Sequence, residues 1–210
     1  MQLSVWPWSD IVSLIHRHCK QTIETKGRVL ELGCGAGANI PLFLALGMDY
    51  HGIEGSKSIV NQLHKQHPDL TNKILAGDFT LEQPFKLNFD LVVDRAALTH
   101  NNTASIIRTL AMVSRSLKPG GVFIGSDWFS TNHSDFSIGE MCDDLFTKQN
   151  FSNGQFTGVG KVHFSDESHL LDLFAKFEII YLEEKIITRH MPQDAHQIAM
   201  WNIVARKRHD

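Results

Sequence analysis

Val29-Leu30-Glu31-Leu32-Gly33-Cys34-Gly35-Ala36-Gly37 is the stretch whose reading decides the fold. A short apolar run carries one acid, and glycine then takes every second position. Such a run ending in Gly-x-Gly reads as a buried strand entering a tight turn. Glycine permits positive φ and lets a ligand approach where a Cβ would collide. The next segment, Asn39 to Leu46, reads as a helix, so the loop sits at a helix N-terminus with spare N–H donors. Gly33, Gly35 and Ala38 also satisfy the G-x-G-x-x-A fingerprint of a dinucleotide site, and Glu54 lies near the offset at which such a site places an acid. Glu31 argues the other way. A carboxylate two positions before the first glycine repels a pyrophosphate and suits a cationic ligand or one offering donors.

Outward from this loop the chain alternates strand and helix. Ser9 or Asp10 is placed to cap a first helix that Gly27 ends, with Ile11, Val12, Leu14, Ile15, Cys19 and Ile23 roughly on one face. Strands are predicted at Arg28 to Leu32, Tyr50 to Glu54, Lys73 to Ala76, Phe89 to Asp94 and Val122 to Ser126. Helices are predicted after Asn39, after a Ser56 cap, and from an Asn102 or Thr103 cap to Leu117. This alternation calls for a doubly wound α/β fold with a mostly parallel sheet and helices on both faces. Two long strand-like runs, Phe177 to Thr188 and His196 to Ala205, close the chain, joined by a connection too short for a helical crossover. They predict a C-terminal antiparallel hairpin, which is unlike a dinucleotide-binding domain. Between Phe129 and Phe164 the periodicity is weak and Phe129, Phe136, Phe146, Phe151, Phe156 and Phe164 recur, so an irregular segment is expected there, followed by a short helix from Ser165.

The 210 residues, 42% of them hydrophobic, predict one domain with a substantial core. The formal charge of −3 and the lack of a long basic run argue against a nucleic-acid partner. Cys19, Cys34 and Cys142 are odd in number and form no CxxC, which disfavours a disulfide framework or zinc knuckle. Of the twelve histidines, His16 and His18 point to different faces of a helix, and His64 and His67 can share a face but have no evident third ligand, so no metal is expected. No apolar run reaches membrane-spanning length and the N-terminus lacks a leader pattern, so a cytoplasmic protein without a membrane partner is expected.

In a doubly wound sheet a ligand lies beyond the carboxyl ends of the strands. Glu31, Glu54, Asp78, Asp94 and Asp127 end or follow the first five predicted strands. The glycine loop resembles the first motif of the class I S-adenosylmethionine-dependent methyltransferases, E/D-x-G-x-G-x-G, at Glu31, Gly33, Gly35 and Gly37. Gly77-Asp78-Phe79 resembles that family's station after the third strand, Phe89 to His100 its fourth motif, and Leu117-Lys118-Pro119-Gly120-Gly121 its turn before the fifth strand. The closing hairpin extends the likeness to a seven-stranded sheet.

The resemblance implies methyl transfer from S-adenosylmethionine. It implies cofactor contacts from Glu31, Gly33, Gly35, Gly37, Glu54, Gly55, Asp78, Phe79 and Asp94. Glu54 would take the ribose hydroxyls, Asp78 the adenine amino group, and Phe79 the ring. The absence of a D-P-P-Y form after the fourth strand lowers base or amide N-methylation. With no added recognition domain, the acceptor is expected to be a small molecule and the reaction an O-methylation of a metabolite, sugar derivative or natural-product intermediate. Arg95, Asp127, Trp128 and His163 are the expected acceptor-binding residues, and His100 the base. His133 and His163 are otherwise read as solvated loop histidines. Residues 1–27 form an N-terminal helical segment, 28–127 the cofactor-binding core, 129–164 an insert serving as acceptor cover with help from Trp6 and Trp8, and 165–210 the closing helix and hairpin. Two other functions compete. The nicotinamide-dependent oxidoreductase rests on the dinucleotide fingerprint, and a non-enzymatic S-adenosylmethionine-binding module would keep the cofactor stations alone.

Overall fold

A computed structural model describes residues 6–208. Its centre is a seven-stranded sheet built from β1 (Arg28–Leu32), β2 (Asp49–Glu54), β3 (Ile74–Ala76), β4 (Phe89–Arg95), β5 (Leu117–Phe129), β9 (Phe177–Thr188) and β10 (Gln197–Lys207), in the order β3-β2-β1-β4-β5-β10-β9. β1 pairs in parallel with β2 on one side and β4 on the other. The chain therefore reverses its direction of travel across the sheet between β1 and β4, and a crevice forms where the loops diverge. β10 runs antiparallel to both β5 and β9, which is the hairpin the two closing runs predicted.

Each central strand is apolar on both sides because helices cover both faces. On one face Val29, Tyr50, Leu91, Val93 and Ile124 pack with Ile11, Leu14 and Ile15 of α1 (Ser9–His18), Ile40 and Phe43 of α3 (Ile40–Ala45), and Val60 and Leu63 of α4 (Lys57–Gln66). On the other, Leu30, Leu32, Val92 and Phe123 meet Ile106, Leu110 and Val113 of α5 (Thr103–Ser116) and Leu170 and Leu173 of α6 (Glu167–Leu173). The helix starts follow local chemistry: Ser56 Oγ accepts from Ile59 N, Asn102 Oδ1 from Ser105 N and Asp166 Oδ1 from His169 N.

Three expectations are corrected. The N-terminal helix is broken at Cys19, with α2 at Lys20–Glu24, and Trp8 rather than Ser9 or Asp10 holds the N-cap position, without a side-chain cap. β5 begins at Leu117, so the Pro-Gly-Gly turn lies within the strand as an irregularity between the Phe89↔Leu117 and Leu91↔Val122 pairs. The segment after β5 is irregular only in part, chiefly over residues 150–161. It folds into a second, three-stranded sheet of β6 (Glu140–Cys142), β7 (Asp144–Gln149) and β8 (Val162–His163). That sheet has its own core, in which Phe129, Phe151, Phe156, Val162 and Phe164 are buried around Ala96. Among the described residues no helix is long and apolar enough to cross a membrane.

Candidate active site

Gly33, Gly35 and Gly37 all have positive φ, at 62°, 52° and 82°. They serve different ends. A Cβ at Gly33 would lie 2.4 Å from the Ala97 Cβ, and one at Gly37 would meet Ile40 and Leu63, so these two let the loop pack on the β4 exit and on α3 and α4. A Cβ at Gly35 would meet nothing nearer than 4.0 Å, and one at Gly55 nothing within 4 Å. These two glycines border open space.

Two acids hold the loop. Glu31, at 3% exposure, accepts from Asn39 Nδ2 at 2.7 Å and from the Tyr50 hydroxyl at 2.6 Å. Burial pushes its pKa up to about 7, against the lowering effect of those two hydrogen bonds. Asn39 is a hub, since its Oδ1 also accepts the Trp8 N–H at 3.1 Å and so ties the N-terminal segment to the loop. Glu54 closes β2 and accepts two backbone N–H groups, from Gly35 and from Ser56, each at 2.9 Å. The loop and the β2 end thus share one carboxylate.

Beside them an open cleft of about 420 Å³ is lined by Gly55, Lys57, Ala76, Gly77, Asp78 and Phe79. The Asp78 carboxylate is exposed, and its Oδ1 accepts from Thr80 N at 2.8 Å and Thr80 Oγ1 at 2.7 Å, which fixes the turn after β3. Phe79 bridges cleft and core. Its Cε1 lies 3.5 Å from the Cβ position of Gly33, and the ring packs against the buried cluster around Leu32 and Ile53. A larger hollow of about 470 Å³ opens at the opposite, amino ends of β1 and β4. Four of its charged residues pair, Arg28 with Asp49 and Lys118 with Asp90, each at 2.8 Å, and none of the strand-terminal acids of the carboxyl edge lines it.

The ends of β4 and β5 form the other half of the carboxyl edge. Ala96 and Asp127 both hold positive φ, at 56° and 57°, where a non-glycine residue is strained. At Asp127 the cause is a bulge: β10 advances two residues, Trp201 to Ile203, while β5 moves three, Trp128 to Gly125. Asn202 Oδ1 supports it, accepting from the Ser126 hydroxyl at 3.1 Å. The bulge turns the Asp127 carboxylate to Arg95, whose Nε and Nη2 each lie 2.8 Å from Asp127 Oδ2. The Arg95 guanidinium also stacks 3.6 Å over the Trp8 ring.

The same bulge corrects the expectation for Trp128. It shifts the alternation of side chains by one, so Trp128 falls on the Phe123 face of the sheet, wholly buried among Phe123 and Phe174. Gly125 leaves the room, since a Cβ there would lie 2.9 Å from the indole nitrogen. The indole N–H donates to Asp94 Oδ2 at 2.7 Å, and Asp94 Oδ1 accepts Leu98 N–H at 3.0 Å. Asp94 has no exposed surface, and burial raises its pKa from 3.8 to about 7. It clamps the β4 exit to β5.

His100 ends a short helical turn, Leu98–His100, after β4. It keeps an exposed face, while its Nδ1 lies 3.3 Å from the Lys161 carbonyl of the insert and its ring contacts Phe129 edge-on at 6.1 Å. Desolvation by the insert holds its pKa below 6.5, and the Lys161 contact acts in the opposite direction. His163 and His133 are not solvated. His163 is fully buried in β8, with Nδ1 3.2 Å from Thr147 Oγ1 and Nε2 3.1 Å from His169 Nε2. Desolvation first, and then His169, push its pKa down to about 3. His133 is 2% exposed. Histidine was read as polar loop filler at these positions; the second sheet, invisible in the periodicity, supplies the burial. Tyr50, Asn39 and Lys57 were missed, although Asn39 and Lys57 each stand two residues after a recognised glycine, and Tyr50 opens a recognised strand.

This is the crevice of a doubly wound, seven-stranded sheet, with a glycine loop and acids at the strand ends. The profile of the methyltransferase-domain family matches residues 8–182. The chain belongs to that family. No curated protein matches it. Among solved structures it is similar to an S-adenosylmethionine-dependent methyltransferase from Methanosarcina mazei, at 21% identity and a TM-score of 0.68, over 99% of this chain and 100% of that one. It is similar to CalS10, an amino pentose methyltransferase from Micromonospora echinaspora solved with S-adenosylmethionine bound, at 16% identity and a TM-score of 0.58, over 99% of this chain and 100% of that one. It also resembles the 1,6-didemethyltoxoflavin N1-methyltransferase of Burkholderia thailandensis, solved with that compound and S-adenosylhomocysteine, at 18% identity and a TM-score of 0.61, over 95% of this chain and 86% of that one.

Proposed function

We propose that this chain, acting as one domain in the cytoplasm, binds S-adenosylmethionine at the carboxyl edge of β1–β4 and methylates a small acceptor on oxygen. The observation that carries the reading is the cleft of about 420 Å³ from Gly55 to Phe79, set against a loop that Glu54 ties to the β2 end. The open space at Gly35 and Gly55 is where side chains would block a ligand. S-adenosylmethionine supplies a methyl group on a positively charged sulfur. The chain supplies everything else. Glu54 holds both loop and β2 end and has lone pairs left for ribose hydroxyls, Gly55 leaves the approach open, and Asp78 and Phe79 meet the adenine edge and face. Glu31, Gly33 and Gly37 shape the loop from behind, and Asp94 fixes the β4 exit.

On the acceptor side Arg95, Asp127 and Trp8 form a charged and aromatic rim, and His100 is the base. If Nδ1 donates to the Lys161 carbonyl, Nε2 carries the lone pair that takes the acceptor proton. A pKa below 6.5 keeps that ring neutral at cellular pH. The amino pentose and toxoflavin-precursor acceptors of the two neighbours support a small acceptor rather than a nucleic acid or a membrane. The test is mass spectrometry of small molecules that co-purify with the chain, followed by transfer of labelled methyl to a metabolite panel. Recovery of S-adenosylhomocysteine and a labelled product supports the reading. Recovery of a nicotinamide dinucleotide would replace it with the oxidoreductase, and cofactor binding without transfer to any acceptor would leave a binding module.

A further inference from the structure

Away from the strand-terminal acids, His133, Asp135 and His196 come together where the insert meets the closing hairpin. One ligand-capable atom from each lies within 4.8 Å of the other two. His133 caps a short helical turn, Ser134–Ser137, that contains Asp135, while His196 directly precedes β10, so the trio joins segments that are 61 residues apart. His133 and Asp135 are buried, and His196 keeps a quarter of its side chain, 24%, in contact with solvent. We propose that these three residues bind a divalent transition metal, zinc in preference to magnesium or calcium, and that the metal staples the insert to the hairpin.

The donor set is the first argument. Two imidazoles and one carboxylate suit zinc and its neighbours, whereas the hard cations favour all-oxygen sites. Spacing is the second. Around a tetrahedral zinc, nitrogen and oxygen ligands lie about 3.4 Å apart. Here His196 Nε2 lies 2.6 Å and His133 Nδ1 3.9 Å from Asp135 Oδ1, so the observed separations bracket the required one; His133 Nδ1 accepts the Asp135 N–H at 3.1 Å, and the metal would take that lone pair from the cap as the ring closes in. The surroundings are the third. Phe156 N–H donates to Asp135 Oδ2 at 3.1 Å and leaves Oδ1 to face the histidines. Gly154, at φ +89°, passes so close that a Cβ would sit 2.4 Å from Asp135 Oδ1. Only a glycine lets the backbone close over this carboxylate. The outer nitrogen of His133, Nε2, is buried without a hydrogen-bond partner, and the Gln155 side chain interacts with the same ring. A ligating histidine commonly rests on an outer acceptor.

The seam is already registered by other contacts. Gln197 N–H donates to Ser134 Oγ, and Gln197 Nε2 to the Asn132 carbonyl, each at 2.8 Å. A metal would therefore lock an interface the fold has prepared, and its fourth position opens on the partly exposed His196 side. Zinc would reinforce the insert rather than carry out methyl transfer.

The experiment uses the full chain without a polyhistidine tag. It is equilibrated with zinc, dialysed and analysed for metal, and it is separately titrated with cobalt, whose visible absorption reports tetrahedral nitrogen and oxygen ligation without any variant. One zinc per chain and a cobalt band that saturates at one equivalent are expected. His196→Ala should abolish both, Gln155→Ala should weaken zinc by roughly 10–100-fold, and His190→Ala, an exposed histidine outside the trio, should change neither. The thermal midpoint should rise with zinc in the parent and not in His196→Ala. Zinc uptake far below one equivalent, a cobalt titration with no saturating band, or uptake undiminished in a folded His196→Ala would overturn the proposal. If that variant fails to fold, the cobalt titration of the parent decides alone.

Discussion

Replacing Asp94 with asparagine should change how the stability of this protein depends on pH, in a direction fixed by the structure. Asp94 is wholly buried, and burial lifts its pKa from 3.8 to about 7 even though Leu98 N–H and the Trp128 indole N–H both donate to it. Between these two values the folded chain holds a proton that the unfolded chain has released. Stability therefore falls as pH rises through that window and is lowest above pH 7. A displacement of this size corresponds to on the order of 4 kcal/mol. Asparagine carries no charge at any pH and removes the slope. It also has one carbonyl oxygen where the carboxylate had two, so its NH2 must oppose either the indole or the Leu98 N–H, a loss of about 1–3 kcal/mol. At pH 5, where folded Asp94 is already neutral, Asp94→Asn should be less stable than the parent by that amount. At pH 8 the relief of the buried charge offsets the loss, and the variant should equal or exceed the parent. Urea unfolding of both proteins at pH 5, 6.5 and 8 measures the difference, which includes the repulsion between Asp94 and the buried Glu31 carboxylate that asparagine also removes. A stability difference that stays constant from pH 5 to 8 would refute the claim that this carboxylate is held in a desolvated site.

Three further outcomes follow from the site. Glu54→Ala removes the acceptor of the Gly35 and Ser56 N–H groups and should weaken S-adenosylhomocysteine by about 1–3 kcal/mol, with Glu54→Gln intermediate, as read by calorimetry. His100→Ala should lower turnover about 10²–10⁴-fold with little change in cofactor affinity, and should erase a limb of the pH–rate profile lying below 6.5; near-normal turnover would move the base elsewhere. Phe156→Ala opens the small core shared by Phe129, Phe151 and Phe164 and should destabilise the insert by roughly 3–5 kcal/mol. Amide exchange would then rise across residues 129–164 and stay slow in β1 and β4.

The central sheet was legible because its signals are local. Val29 to Leu32 is apolar but for Glu31 and is followed by glycines, and the two closing runs are long with a short link, so strand type and the antiparallel end could be read from neighbours in sequence. The second sheet was not. Its strands are two to six residues long, and their phenylalanines bury one another instead of marking a face of the main sheet. Trp128 was misread because one bulged residue at Asp127 reverses the alternation that places side chains. The acids at the strand ends were recognised by position, but not the work they do. Glu31 spends both oxygens on Asn39 and Tyr50, 8 and 19 residues away, and Asp94 spends its own on Leu98 and Trp128. The histidine trio spans 61 residues and has no local pattern at all.

The most direct test of the account is calorimetry of the purified chain with S-adenosylhomocysteine, S-adenosylmethionine and NAD in parallel. The glycine loop fits both a methyltransferase and a dinucleotide fingerprint, while the methyltransferase-domain match over residues 8–182 and the closing antiparallel hairpin favour the methionine derivatives. Saturable binding of one S-adenosylhomocysteine per chain, weakened in Glu54→Ala and absent for NAD, is the predicted result. Saturable NAD binding with no heat from either methionine derivative would contradict it.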